Sequence, residues 1–245
     1  MHKFFVSADS IIDGKVLIEG NDARHISFSL RMKRGDKLCL ATDDLKDCFC
    51  TIVDFIDGKV LVKVDSVKEA CAESPCRISL FQAIPKGDKF ETIIQKAVEC
   101  GVYSVTPFQS AYCISKINDS EKKLERWNRI ALEAAKQCGR SIVPKVFPPI
   151  SYKEAIKEAS GSELSLFCYE NEHTNKLGNV LNDSNAKTIS VVVGSEGGFS
   201  QQEAEFATEN GLLPISLGPR ILRCETASAF VLACISLVKE LFDRK

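Results

Sequence analysis

Two glycine-bearing loops near the end of the chain constrain its fold more than any other feature. The first, Gly194-Ser195-Glu196-Gly197-Gly198, follows the apolar run Thr188–Val193 and leads into a short helix. The second opens with Gly218-Pro219, follows the apolar run 212–217 and leads into the last helix. Ligands of α/β proteins tend to lie at the carboxyl ends of strands, where such loops begin. The stretch 188–230 therefore predicts an α/β domain with a ligand site at these loops.

An alternation of strand and helix patterns supports this interpretation from residue 77 onward. Apolar runs predict strands over 78–84, 102–108 and 163–169, and one-sided apolar spacing predicts helices over 88–100 and 120–138. Such alternation is typical of a mostly parallel sheet covered by helices on both faces.

The first 70 residues follow a different pattern. Several short strand-like runs surround the hairpin signal Asp57-Gly58, which predicts a small β-barrel. The stretch 66–76 is rich in Ser, Ala, Lys and Glu and resembles a linker. We therefore expect two domains, residues 1–70 and residues 71–245.

A locally basic segment lies within the first domain. Residues 24–37 contain five Lys or Arg residues and one Asp, although the whole chain has a net charge of only −1. Any nucleic-acid surface must therefore be local. The segment is either a solvated turn or a phosphate-contacting patch, and spacing alone slightly favours the turn.

The cysteine content favours a cytoplasmic protein with reduced thiols. The chain has eleven cysteines and three histidines, without zinc-site spacing and without a secretory signal at its start. We expect no metal site and, because no apolar run reaches roughly 18 residues, no membrane span.

The last helix is apolar nearly all round, since its only polar side chains from Ala227 to Val238 are two serines. A helix of this kind is buried on more than one side. The pattern leaves two alternatives open, which are deep burial within the chain and contact with a second subunit.

The first glycine loop lacks the Gly-Lys-Ser/Thr of a P-loop and the spacing of a dinucleotide fingerprint. Ser200-x-x-Glu203 predicts a capping box that partly occupies the donors of the next helix. Because a phosphate would need those donors, the loop is better suited to main-chain recognition of an uncharged edge such as adenine. For a lone glycine loop, however, a simple tight turn followed by a well-capped helix is the favoured interpretation.

Four charged residues lie in these loops or directly after them. Glu196 has two interpretations. Its carboxylate either lies near a helix N-terminus, where the helix dipole stabilises it, or faces a cationic ligand or a proton on the substrate. Arg220 and Arg223 form either surface salt bridges or an anion clamp. Glu225-Thr226 begins the last helix, with Thr226 as a possible N-cap.

Five motifs in order along the chain carry a family resemblance. They are Val193-Gly194-Ser195-Glu196-Gly197-Gly198-Phe199-Ser200-x-x-Glu203, Leu217-Gly218-Pro219-Arg220-Ile221-Leu222-Arg223-Cys224-Glu225-Thr226-Ala227, His25-x-x-x-x-Leu30-Arg31-x-x-x-Gly35-Asp36, Lys86-Gly87-Asp88-Lys89 with Lys96-x-x-Glu99-x-Gly101-Val102, and Glu133-Ala134-Ala135-x-Gln137-x-Gly139-Arg140. Together they resemble the bacterial 16S rRNA uracil-N3 methyltransferases of the SPOUT superfamily.

This resemblance implies a PUA-like β-barrel followed by an α/β SPOUT domain with a deep trefoil knot. It also implies a homodimer, S-adenosylmethionine as cofactor, and methylation of N3 of a uridine in the decoding region of 16S rRNA in the small ribosomal subunit. A homodimer in turn favours the second-subunit explanation of the last helix.

The resemblance also implies roles for individual residues. The proton of uracil N3 would leave to Glu196 or Glu225, and Arg220 or Arg223 would stabilise the anion. The residues implied in cofactor binding are Cys168, Tyr169, Val193, Gly194, Ser195, Glu196, Gly197, Gly198, Leu217, Gly218, Ile221, Leu222, Arg223, Thr226 and Ala227. The residues implied in RNA binding are Arg24, His25, Arg31, Lys33, Arg34, Lys86 and Arg140.

The sequence departs from the family pattern at three places. Ser195 stands where the family usually has Pro, Cys224 where it has Thr, and Ser110-Ala111-Tyr112 where it commonly has Ser-Glu-Arg. The last change removes two charges and bears on which uridine is the target. Alternative functions are a SPOUT methyltransferase for another rRNA or tRNA position, a non-catalytic RNA-binding module, and an α/β enzyme of nucleotide metabolism.

Overall fold

The computed structural model describes residues 1–113 and 120–242. By their internal contacts the residues divide into two compact units. Unit 1 comprises Met1–Glu73 and Ala135–Val143, and unit 2 comprises Ser74–Ala134 and Pro144–Lys245.

Unit 1 contains a five-stranded sheet in the order β1-β3-β4-β5-β2. Its strands are β1 (Lys3–Val6), β2 (Lys15–Ile18), β3 (Lys37–Thr42), β4 (Lys46–Ile56) and β5 (Lys59–Glu69). β1 pairs in parallel with β3, and the other neighbours are antiparallel. Helix α1 (Gly20–Arg24) and the π-helical turn His25–Ser29 lie between β2 and β3.

The β4–β5 hairpin confirms the turn expected at Asp57-Gly58. Both residues have positive φ, 48° and 76°, which the primed hairpin turns require and which Gly adopts without a steric cost. β5 continues to Glu69 because it pairs as far as Lys46 of β4. The first residues of the stretch 66–76 are therefore strand, and the expectation of a linker there was wrong for those residues.

Arg140 lies inside unit 1, with 4% of its surface exposed. Its guanidinium donates to Glu73 Oε2 through Nη2 at 2.6 Å and Nε at 3.2 Å, and Ser141 N–H donates to Glu73 Oε1 at 2.7 Å. Segment 135–143 is held in unit 1 partly by this pair. The expectation that Arg140 contacts RNA is corrected, because its charge is already buried against a carboxylate.

Unit 2 contains a seven-stranded sheet whose pairings are all parallel. Its strands are β6 (Arg77–Ala83), β7 (Ser104–Gln109), β8 (Lys145–Val146), β9 (Ile150–Ser151), β10 (Leu164–Cys168), β11 (Thr188–Val193) and β12 (Leu213–Ile215). The order is β12-β10-β11-β6-β7-β8, with β9 also paired to β7. The predicted parallel α/β sheet is confirmed.

Six helices accompany this sheet in the described part of the chain. They are α2 (Lys89–Glu99), α3 (Ser120–Cys138), α4 (Tyr152–Ala159), α5 (Leu177–Asn182), α6 (Gln201–Glu209) and α7 (Cys224–Ser236). A π-helical turn, Leu237–Phe242, continues α7. No helix among the described residues is long and apolar enough to cross a membrane.

The ends of three helices test the capping expectations. Ser200 forms the predicted capping box with Glu203, and Ser151 forms a second one with Glu154. Thr226 is not the N-cap of α7, since the extended residue Arg223 precedes the helix. The N–H of Ala227 donates to Arg223 O at 2.8 Å and closes the first turn, so Thr226 already lies within it.

Replacing Arg140 with Ala should lower the free energy of unfolding by about 3 kcal/mol, because Glu73 would remain buried without its partner. Urea denaturation measures this change. Arg129→Ala is the matched control, since Arg129 and Glu133 form an exposed pair at 4.0 Å that contributes about 0.5 kcal/mol or less. Equal losses in the two variants would contradict a structural role for the buried pair.

Candidate functional site

The carboxyl ends of β6, β10, β11 and β12 meet at one edge of the unit 2 sheet, because these strands are parallel neighbours. Tyr169, just after β10, donates its N–H to Ile215 O of β12 at 3.2 Å. Cys168, at the end of β10, is buried, and this burial raises the pKa of its thiol to about 12. The structure thus brings together the loop after β10 and both glycine loops at the predicted edge.

Phe199 anchors the first glycine loop, residues 194–198, in the core of unit 2. Its ring lies 4.4 Å from that of Phe167 in β10 and 6.4 Å from that of Phe108 in β7, measured between centroids. Tyr152 of α4 also contacts it. Burial of one large aromatic side chain therefore fixes the end of a loop that has few side chains of its own.

A side chain on any of the three glycines of this loop would meet neighbouring atoms, and at Gly197 the nearest of these is a Cβ attached directly to the backbone. A Cβ on Gly197 would lie 2.7 Å from Tyr112 Cβ, and a Cβ on Gly194 would lie 3.1 Å from Phe199 Cε2. Gly198 has a φ of +64°, and a Cβ there would meet the Glu170 carboxylate. The main chain of the loop thus lies directly against the segments that carry Tyr112 and Glu170, as glycine permits.

Gln82 joins the first glycine loop to the start of α7. The side chain is fully buried near the end of β6, and its Nε2 donates to Gly194 O at 3.1 Å. Its Oε1 accepts from the Ser228 hydroxyl, which also donates to Cys224 O at 2.9 Å. Because the nitrogen and the oxygen of this buried amide are both hydrogen-bonded, the side chain holds the glycine loop and the start of α7 in place.

Ser195 carries a buried hydroxyl without a partner. Its residue surface is 7% exposed, and its Oγ has no hydrogen-bond partner in the structure. Its carbonyl accepts from Gly198 N–H at 3.0 Å, which closes the turn. An unbonded buried hydroxyl costs free energy. This loop therefore has a hydrogen-bonding group that no residue in the described part of the chain satisfies.

Glu196 faces the loop that follows β6. Its Oε1 accepts from the Lys89 ammonium at 2.7 Å, and both its oxygens accept from Lys86 N–H at 3.2 and 3.3 Å. Partial burial acts to raise the pKa of Glu196. The hydrogen bonds from Lys89, from its own N–H and from Lys86 outweigh burial and hold that pKa below its ordinary value.

Glu225 lies in the first turn of α7. Burial acts to raise its pKa, but its own N–H, the Cys224 thiol and the charges of Lys89 and Arg223 lower the pKa overall. The thiol donates to Glu225 Oε2 at 3.2 Å, and burial followed by this bond raises the pKa of Cys224 to about 12. Both carboxylates of the site are therefore ionised at neutral pH, and Lys89 acts on both.

The second loop, residues 216–223, exposes an apolar residue between two cations. Ile221 is 92% exposed, and Arg220 and Arg223 on either side are exposed as well. Leu222 is half-buried. The remaining predicted residues of this region are placed as follows: Leu217 is half-buried, Gly218 and Thr226 are exposed, and Ala227 is buried.

The basic segment 24–37 of unit 1 is exposed at each of its predicted RNA contacts, which are Arg24, His25, Arg31, Lys33 and Arg34. Arg34 pairs with Asp54. Phe28 lies among these cations and is 78% exposed. In unit 2, Lys86 is also exposed. The segment therefore combines accessible positive charge with an accessible aromatic ring.

No role was predicted for Gln82, Lys89, Phe199 or Phe28, and Tyr112 was named only as a departure from the family pattern. A glutamine at the end of an otherwise apolar strand, and a phenylalanine between basic residues, were signals available for two of them. The contacts of Lys89 and Tyr112 join segments more than 80 residues apart, and local pattern gives no sign of them.

The described residues, 1–113 and 120–242, contain no group of three or more His, Cys, Asp or Glu side chains that could hold a metal ion.

Comparison with known proteins gives a family. Residues 72–236 match the family described as RNA methyltransferase domain. Ribosomal RNA small subunit methyltransferase E of Bacillus subtilis (strain 168) is 34% identical over 233 residues, which are 91% of this chain and 90% of the relative. The protein of that name from Mesomycoplasma hyopneumoniae (strain 232) is 31% identical over 96% of this chain and 99% of its own length.

A solved structure agrees with these relatives. Ribosomal RNA small subunit methyltransferase E from Neisseria gonorrhoeae, bound to S-adenosyl methionine, superimposes with a TM-score of 0.86 at 30% identity. The match covers 97% of this chain and 98% of that one. The similarity therefore extends over both units of the chain.

Gly197→Ala should destabilise the protein by about 1–3 kcal/mol, because the new methyl group would overlap Tyr112 Cβ and force the loop to shift. Gly178→Ala is the matched control, since Gly178 lies in α5 with open space around its Cβ position. This control should be neutral or stabilising by up to about 1 kcal/mol. Chemical denaturation of both variants measures the difference, and equal effects would contradict the tight packing described.

Proposed function

Since this chain belongs to the RNA methyltransferase family, among the ribosomal RNA small subunit methyltransferase E proteins, we propose that it methylates 16S rRNA with S-adenosylmethionine as donor. The position is N3 of a specific uridine in the decoding region of the small ribosomal subunit. The observation that carries this proposal is that the loops after β10, β11 and β12 begin at one edge of the unit 2 sheet, with Gly197 and Ile221 exposed in two of them.

The residues at this edge fit S-adenosylmethionine. Gly197 has no side chain and is exposed, which lets a nucleoside approach the main chain of loop 194–198. The Ser195 hydroxyl is buried without a hydrogen-bond partner among the described residues. The capping box at Ser200 already occupies donors of α6, which disfavours a phosphate. An uncharged adenosine meets these requirements better than a nucleotide phosphate.

The proposed cofactor contacts are the main chain of loop 194–198, Tyr169 at the end of β10, and the segment from Leu217 to Arg223. Ile221 and Leu222 supply an apolar wall for the adenine, and Thr226 and Ala227 close the site at the start of α7. When bound, S-adenosylmethionine supplies an electrophilic methyl group.

The chain's own charged residues handle the proton and the negative charge of uracil N3. Arg220 and Arg223 stabilise the anion that forms when N3 loses its proton. Glu225 is proposed as the proton acceptor, because Glu196 is committed to Lys89 and to the Lys86 N–H. The lowered pKa of Glu225 keeps it ionised, which is the form that accepts a proton.

The basic segment 24–37 is proposed to hold the RNA. Arg24, His25, Arg31, Lys33 and Arg34 neutralise phosphates. The exposed ring of Phe28 offers a face on which an unpaired base stacks. Lys86 is proposed as a further phosphate contact beside the cofactor loops, where the target uridine must be turned out of its stack.

We propose that residues 1–70 form a PUA-like RNA-binding barrel and that residues 71–245 form a SPOUT domain with a trefoil knot. The five-stranded sheet of unit 1 supports the first assignment. In the strand order β12-β10-β11-β6, β12 is the edge strand, and the chain returns from it to form α7. This arrangement supports the assignment of a SPOUT domain.

A homodimer through α7 is proposed from an uncovered apolar stripe on that helix and the turn after it. Phe230, Leu237 and Leu241 recur at helical spacing and are exposed, and Phe242 extends the stripe. A second copy packing on this stripe explains why the helix is apolar on more than one side.

A second candidate function is methylation of another RNA position. Ala111 and Tyr112 replace two charged residues of the family pattern, and Tyr112 lies against Gly197 in the proposed site. This departure favours a different contact with the target nucleotide.

Incubation with tritiated S-adenosylmethionine and small ribosomal subunits that lack the modification tests the proposal. The expected result is label in 16S rRNA, with mass spectrometry identifying N3-methyluridine in the decoding region. Label at another nucleotide would support the second candidate. No label in 16S rRNA, from protein that binds the cofactor, would overturn the first candidate. Absence of label in total rRNA and tRNA as well would overturn both.

Glu225→Gln should lower the methyl-transfer rate by about 100-fold, because general-base catalysis typically contributes about 10²–10⁴-fold. Glu196→Gln should lower the rate by less than about tenfold, since its role is to hold Lys86 and Lys89. Single-turnover rates at several pH values, with cofactor affinity measured in parallel, separate the two. Wild-type rates in both variants would exclude both carboxylates as the base, and the opposite order would exchange their roles.

A further inference from the structure

A row of lysines crosses four strands of the unit 1 sheet. Lys37 of β3 pairs in register with Thr51 of β4, Thr51 pairs with Lys63 of β5, and Lys63 pairs with Lys15 of β2. Strands lie about 4.8 Å apart, so the row spans about 14 Å. Of these residues, only Lys37 belongs to the basic segment 24–37.

The three lysines share the solvent face of the sheet. Each is exposed, and the neighbours Val16, Leu38 and Val62 on the same strands are buried. This follows from the two-residue period of a strand, which sends successive side chains to opposite faces. The row is therefore accessible to a ligand along its whole length.

The positive charges of this row are not neutralised within the described chain. None of the described carboxylates forms a salt bridge with Lys15, Lys37 or Lys63. Lys15 and Lys63 are moreover directly opposite each other in an antiparallel pair. Like charges at opposed positions destabilise a sheet, so the arrangement is unfavourable for folding alone and is explained by an anionic partner.

A hollow of about 310 Å³ adjoins the row at Lys37. Its lining consists of Met1, Lys37, Phe49, Cys50, Asp65, Ser66 and Lys68. Lys68 lies over the Phe49 ring at 5.4 Å, and Asp65 accepts a hydrogen bond from Thr51 Oγ1 at 2.5 Å. With this one aspartate against Lys15, Lys37, Lys63 and Lys68, the row and hollow together remain strongly cationic.

We propose that this face, the lysine row with its adjoining hollow, is a second RNA-binding surface that holds the phosphodiester backbone of the substrate RNA. It rests on the proposed function, since RNA is the polyanion that such an enzyme meets. The lysines release counterions by neutralising successive phosphates. The hollow beside Lys37 receives part of one nucleotide, with Phe49 as its apolar wall. The surface positions RNA and takes no part in methyl transfer.

The test uses the full-length protein with Lys15→Gln and Lys63→Gln combined, which removes both charges and keeps most of each side chain. Binding of a 16S rRNA transcript is measured at several salt concentrations. The expected loss is about tenfold in affinity at 0.15 M salt, with the slope of log K against log salt smaller by about 1.5. The rate at saturating RNA and the cofactor affinity should be unchanged.

Two further variants make the result decisive. Lys15→Arg with Lys63→Arg keeps the charge and should bind RNA as the wild type does. Lys153→Gln with Lys157→Gln removes two exposed charges from α4 and should leave affinity and slope close to wild type. The melting temperature of the Lys15→Gln, Lys63→Gln variant should equal or exceed that of the wild type, because an opposed pair of like charges is gone.

Wild-type affinity and slope in the Lys15→Gln, Lys63→Gln variant would overturn the inference, as would an equal loss in the arginine variant. Failure of the proposed function is a separate outcome, since the wild-type protein would then not methylate small ribosomal subunits, whereas the inference is judged by the affinities of the variants relative to the wild type.

Discussion

The close approach of loop 194–198 to its neighbours is the constraint on which the site depends. Parallel strands bring the loops after β6, β10, β11 and β12 to one edge, and Phe199 fixes the first glycine loop to the core beneath. With Tyr112 against Gly197, only a residue without a side chain fits there. The result is a closely packed loop that is exposed at Glu196 and Gly197, where its main chain suits recognition of an uncharged nucleoside edge.

A small number of contacts hold the charged residues around loop 194–198 in place. Lys89 binds Glu196 and acts electrostatically on Glu225, so one ammonium influences both carboxylates of the site. Gln82 bonds the glycine loop and, through Ser228, the start of α7. Because α7 also carries the apolar stripe proposed to meet a second subunit, dimer formation and the cofactor site would share this helix.

Much of the fold followed from local pattern. The alternation of strand and helix patterns predicted the parallel sheet, Asp57-Gly58 predicted a hairpin, and Ser200-x-x-Glu203 predicted a capping box. Each of these signals lies in residues close in sequence. Strand β1 and helix α5 were not predicted, since four and six residues are too few for a periodic signal.

The errors of prediction arose where distant residues decide the outcome. Arg140 was expected at RNA and is buried against Glu73, a partner 67 residues away in sequence. Both glycine loops were predicted as the ligand site. The contacts that hold the first of them, through the buried Gln82 and Phe199 and the exposed Tyr112, were not predicted. Local sequence thus identified the exposed loops, and tertiary packing determined what supports them.

A crystal structure of the protein with S-adenosylmethionine tests the central claim most directly. The account predicts adenine against Ile221 and Leu222, hydrogen-bonded to the main chain of the glycine loops, and a ligand or water bonded to the Ser195 hydroxyl. Cofactor bound elsewhere, or loops 194–198 and 216–223 left uncovered at saturating cofactor, would contradict it.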